Sequence, residues 1–215
     1  MRSRGRGCGA TFVGVSDVFG QGDFAVRMEW GPTGASACRA DVAVVVDVLS
    51  FSTAVTVAVE RGTRVYPCPW GDARGRALAS ERDAVLAVGR SDARREAERE
   101  AEREAEREAE REAEREGEAP ALSLSPAALL ETDLPARLVL PSPNGSAIAA
   151  ALADAGVLVA AGCLRNARAV AVWVGRALAR GATVVVLAAG ERWQTDGSLR
   201  PALTTSAQAR SSLVC

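Results

Sequence analysis

The chain contains no histidine and no lysine: all 26 of its basic residues are arginine. Without an imidazole there is no Ser-His-Asp relay, no phosphohistidine chemistry and no histidine metal ligand. A hard-metal site here must be built from carboxylates, carbonyls and water, which suits Mg2+. No apolar run reaches the roughly eighteen residues of a membrane span, and no membrane partner is expected. The start, Met1-Arg-Ser-Arg-Gly-Arg-Gly-Cys-Gly, is basic but lacks the apolar stretch of an export signal. Cys8, Cys38, Cys68, Cys163 and Cys215 form an odd set with no paired metal-ligand spacing. They are expected to be reduced thiols of a cytoplasmic protein. A net charge of −1 supplies no field that would attract nucleic acid. The missing lysine, beside abundant Ala, Gly, Val and Arg, points to GC-rich coding DNA.

What the chain does have is a series of apolar strands that open directly into polar turns. The most informative is Val184-Val-Val-Leu-Ala-Ala-Gly190, which leads into Glu191, Arg192, Asp196, Ser198 and Arg200. A continuous apolar run reads as a strand covered on both faces, the habit of parallel sheets. Ligands in open α/β sheets collect beyond the carboxyl ends of such strands. Carboxylates there suit a divalent metal and arginines suit an anionic substrate.

The arrangement recurs upstream. Asp41-Val-Ala-Val-Val-Val-Asp47 ends in an acid and is followed by Ser50, Ser52 and Thr53, any of which could cap the next helix. Leu138-Val-Leu-Pro141 leads into Pro143-Asn144-Gly145-Ser146, a forced turn that places Gly145 and Ser146 near a helix N-terminus. Val157 to Gly162 precedes Cys163, Arg165 and Asn166. Taken singly, Asp47 reads as a helix cap and Asn144-Gly145 as an ordinary turn. Four strand exits carrying acids, glycine turns and arginines together argue for a shared anion and metal site. Cys163 is read as structural, because the loop of cysteine phosphatases (Cys, five residues, Arg) is absent.

These blocks resemble one family. Asp47-Val-Leu-Ser-Phe-Ser-Thr53, Pro141-Ser-Pro-Asn-Gly-Ser146, Gly162-Cys-Leu-Arg-Asn-Ala167, Ala189-Gly-Glu-Arg-Trp193 and Asp196-Gly-Ser-Leu-Arg-Pro201 are similar to segments of the 2-phosphosulfolactate phosphatases. The resemblance runs in order from Phe19 to Leu203, interrupted by one insertion. It implies an α/β, Mg2+-dependent phosphatase that releases phosphate from a small sulfonated phosphoester on a route to coenzyme M. On this reading Asp47, Glu191 and Asp196 serve metal binding or general acid–base work. Arg165, Arg192 and Arg200 recognise phosphate and sulfonate. Ser52, Thr53, Asn144, Gly145, Ser146 and Asn166 complete the anion cradle. Spacing leaves open which carboxylate is nucleophile, base or ligand.

Strands alternate with helices along the chain. Strands are expected over Phe24–Trp30, Val42–Val48, Thr63–Pro67, Val157–Ala161 and, last, Thr183–Ala188. Helices are expected over Ser52–Arg61, Arg74–Leu86, Ala147–Ala155 and Ala167–Arg180. That pattern predicts a three-layer α/β/α domain over residues 18–203 with a largely parallel sheet. Residues 1–17, rich in Gly and Arg, are expected to be a disordered extension. Arg95 to Glu116 repeats Ala-Glu-Arg-Glu without variation. Its residues favour helix, its Glu96–Arg99 spacings attract, and a helix of about 33 Å without an apolar stripe would project into solvent.

After Arg200-Pro201-Ala202 the family continues with an acidic pair and a Gly-Ala-Gly run. Here the chain reads Leu203-Thr-Thr-Ser-Ala-Gln-Ala-Arg-Ser-Ser212. Restoring one base in plausible GC-rich codons turns that stretch into Leu-Asp-Asp-Leu-Gly-Ala-Gly-Ala-Val-Val. Residues 204–215 are therefore expected to be an aberrant, out-of-frame tail that leaves C-terminal elements missing and this form weakly active or inactive. Two other readings stand beside the enzyme: a non-catalytic small-anion-binding protein, and an interaction protein working through the charged helix. A homo-oligomer is left open.

Overall fold

The computed structural model describes residues 21–88, 122, 125–193 and 195–200. The expectations for 1–17, 95–116 and 204–215 lie outside the described residues. In chain order the elements are β1 (Val26–Trp30), α1 (Gly31–Ala37), β2 (Val42–Val46), α2 (Phe51–Glu60), β3 (Arg64–Cys68), α3 (Ala73–Arg82) and β4 (Val85–Leu86). After them come α4 (Pro126–Glu131), β5 (Arg137–Pro141), α5 (Gly145–Asp154), β6 (Leu158–Gly162), α6 (Ala167–Leu178), β7 (Val184–Ala188), β8 (Glu191–Arg192) and β9 (Leu199–Arg200).

The α/β class and the parallel pairing are as expected, but the strands divide between two sheets. The larger runs β1-β7-β2-β6 and the smaller β3-β5-β4, every pair parallel. Strands β2 and β7 are buried at every position, which explains their unbroken Val/Ala/Leu composition. Alternation along them feeds two cores. Ala43, Val45, Val185 and Leu187 pack with Phe51, Ile148, Ala149 and Leu152, on the side of α1 and α5. Val42, Val44, Val46, Val184 and Val186 pack with Val170 and Ala177 of α6. The smaller sheet repeats the plan: Leu138 and Leu140 face Val57 and Ala58 of α2 and Leu129 of α4, while Val139 and Cys68 face Ala79 of α3. Each sheet is thus the centre of its own α/β/α stack, and α2 and α5 touch both sheets.

Two local expectations are corrected, and one helix was not anticipated. The helix read over Arg74–Leu86 stops at Arg82, because Asp83 turns left-handed (φ 49°) and Val85–Leu86 pairs with β5. The Gly31–Ala37 segment is helical despite its glycines, with proline in the first turn. Strand Val184–Ala188 is not the last: the short antiparallel hairpin β8-β9 follows it. Among the described residues no helix is long and apolar enough to cross a membrane.

Candidate functional site

Parallel strands end together, and here they bring distant polar residues to one corner. The registers align Val46 with Ala188 and Gly162, so β2, β7 and β6 finish at the same edge of the larger sheet. Asp47 follows β2, and Glu191 follows β7 after the Gly190 turn. Gly145 opens α5 after β5 of the smaller sheet. Its backbone N–H donates to Asp47 Oδ2 at 2.9 Å, and the neighbouring Asn144 amide donates to Glu191 Oε2 at 3.3 Å. Asp47 is only 6% exposed. A buried carboxylate must be hydrogen-bonded to remain charged at modest cost, and a helix N-terminus supplies such a donor.

Glycine at 145 is required by this approach. A Cβ there would lie 2.4 Å from the Phe51 ring and 2.6 Å from Asp47 Oδ2. The turn behind Asp47 is fixed by Ser52, whose buried hydroxyl donates to Val45 O and accepts from Asp47 N, both at 2.9 Å. Thr53 donates to Val48 O at 2.8 Å, and the buried Ser146 hydroxyl donates to Leu140 O at 2.6 Å. These three hydroxyls therefore bind backbone and shape the corner. Asn166 behaves likewise: it accepts from Cys163 N and donates to Ala161 O, tying off the end of β6.

The structure therefore gathers Asp47, Asn144, Gly145 and Glu191, with Arg200 directly opposite Glu191 in the hairpin. The Arg200 guanidinium lies 5.3 Å from the Trp193 ring centroid, a cation–π arrangement. Three expected residues are not in the cluster. Arg165 forms an ion pair with Glu60, which lies about 12 Å along α2 from Ser52. Arg192 donates to Gly197 O within its own hairpin turn. Asp196 is exposed and accepts from Ser198 N and Oγ. Those two bonds hold its carboxyl below the usual carboxylate range.

Among the described residues no three of His, Cys, Asp and Glu gather as a metal cage. Asp47 and Glu191 supply two carboxylates linked through the Asn144-Gly145 pair. An ion such as Mg2+ keeps several waters and takes one or two carboxylates plus substrate oxygens, so these two are the residues that could hold one. Cys38, Cys68 and Cys163 are buried and form no disulfide, and Cys163 Sγ meets Thr56 Oγ1 at 3.7 Å. A cavity of about 560 Å3 between α1 and α5 is lined mainly by alanines, Ile148, Leu152 and Val157. None of the candidate residues lines it. Sequence reading overlooked Leu199 and Phe51, which pack against the glycines of the corner. Neither carries a polar group at a strand exit, so no pattern singles them out. No family model and no curated protein matches this chain.

Proposed function

We propose that the chain is a Mg2+-dependent phosphatase acting on a small anionic phosphoester, 2-phosphosulfolactate being the substrate its sequence resemblance implies. The observation that carries the reading is the meeting of Asp47, Gly145 N–H, Asn144 and Glu191 at the carboxyl edges of strands from both sheets. Crevices at such edges are where α/β folds take ligands. Asp47 and Glu191 would hold Mg2+, which when bound supplies Lewis-acid polarisation and charge neutralisation. The Gly145 N–H and the Asn144 amide orient the two carboxylates. The start of α5 favours an anion beside them, and Arg200 carries a positive charge on the Glu191 side of the hairpin. Phosphoryl transfer depends on such positioning and charge neutralisation more than on covalent chemistry by the protein.

The test is phosphate release from 2-phosphosulfolactate and other small phosphoesters, with Mg2+ and with excess chelator. Release that needs Mg2+ is expected of the frame-restored protein, and weak or no release of the chain with its aberrant tail. Full release in chelator would remove the metal from the reading. Phosphate binding without any hydrolysis would replace the enzyme by a non-catalytic anion-binding protein.

A further inference from the structure

The hairpin that carries Glu191 has two faces. Glu191 stands opposite Arg200 and Arg192 opposite Leu199. Opposed residues share a face and successive ones alternate, so Glu191, Trp193 and Arg200 lie on one side and Leu199 on the other. Two-residue strands cannot hold a fixed orientation by themselves. Leu199 supplies an anchor. A Cβ built on Gly31 would lie 3.0 Å from Leu199 Cδ2, and one built on Gly190 would lie 2.7 Å from Leu199 Cδ1. Both glycines are left-handed, with φ of +58° and +70°. They follow the paired strands β1 and β7, so the Leu199 side chain sits in a socket made by two absent side chains at the rigid edge of the larger sheet.

We propose that Leu199 is the positioning residue of the site: its seat on Gly31 and Gly190 sets where Glu191 and Arg200 stand relative to Asp47 and Gly145. This rests on the phosphatase reading above. Leu199 has an apolar side chain and acts through the hairpin. Without the anchor, Glu191 is tied to the corner by the 3.3 Å bond from the Asn144 amide. A misplacement of about 1 Å in a reacting group costs roughly 100-fold in rate.

The experiment compares wild type, Leu199→Ala and Leu199→Met, the last a nearly volume-conserving change. Phosphate release, the Mg2+ concentration for half-maximal release, calorimetric binding of inorganic phosphate with Mg2+, and thermal unfolding are measured on each. Leu199→Ala should lose about 100-fold in kcat/KM and need about tenfold more Mg2+, the scale of lost outer support for metal ligands. Leu199→Met should recover most of both. An alanine variant with wild-type turnover, or a methionine variant that falls as far as alanine, overturns the proposal. If wild type releases no phosphate, the frame-restored protein is assayed: release there assigns the loss to the tail, no release fails the phosphatase reading, and in either case positioning is read from phosphate binding. Binding weakened about tenfold in alanine and restored in methionine then supports the anchor. Equal binding in all three, or none in wild type, sinks it.

Discussion

Strand β2 is bracketed by two aspartates whose surroundings share nothing but the strand. Asp41, at its start, accepts from Thr183 N at 2.7 Å and Thr183 Oγ1 at 2.8 Å, and its own N–H donates back to Thr183 Oγ1. The result is an exposed latch between the beginnings of β2 and β7, inside one sheet. Asp47, at the other end, is buried and accepts from the first residue of a helix that follows a strand of the other sheet. The difference follows from direction. Every strand of a parallel sheet delivers its chain to the same edge, where the next helix begins with unpaired N–H groups. An acid at the opposite edge has no helix start beside it, and Asp41 bonds to the start of the neighbouring strand.

The sharpest way to break the comparison is to remove each charge. Asp47→Asn should lower phosphate release roughly 100-fold or more, the scale expected when a positioned group is lost. Asp41→Asn should leave it within about twofold, since a surface change away from the site is nearly neutral. Equal losses in a side-by-side assay would show that position along β2 does not matter.

A second test separates crowded from open glycines. Gly145→Ala pushes a methyl into Phe51 and Asp47 and should destabilise by about 2 kcal/mol, typical of overpacking. Gly175→Ala lies in α6 with nothing within 4 Å of the added carbon, and it should stabilise by about 0.5 kcal/mol. Denaturant unfolding of the two variants decides it; a neutral Gly145→Ala would mean the corner is looser than its distances state.

The smallest effect concerns the Asp41 latch. Hydrogen bonds from the Thr183 backbone and hydroxyl hold its carboxyl below the ordinary value. A depressed folded value adds stability that is complete above the unfolded value of about 3.9 and lost as pH falls through the folded value. Thermal unfolding of wild type should therefore approach that of Asp41→Asn as the solution is acidified below about pH 4. A gap that stays constant with pH would refute the latch as a titrating contact.

Much of the framework was legible because burial leaves a local pattern. The runs at Val42–Val46 and Val184–Ala188 are apolar at every position because both faces are covered, and the turn at Asn144-Gly145 announces the helix after it. The two-residue strands β4, β8 and β9 were not legible, since two residues carry no period. In the candidate site, the acids and glycines at strand exits could be read as candidates. Their partners could not: Ser52, Ser146 and Asn166 look like ligand groups in sequence, yet each bonds the backbone that shapes the turn. Arg165 resembles an anion-binding residue until Glu60 is found beside it.

By itself the sequence determined the α/β class, the buried strands and the edge at which polar residues would gather, since local periodicity and strand direction encode these. Tertiary structure alone decided the division into two sheets, the bond between Asp47 and Gly145, and the seating of Leu199 on two glycines. Those depend on which strand lies beside which and on the space a missing Cβ leaves, and neither quantity is written in the order of residues along one segment.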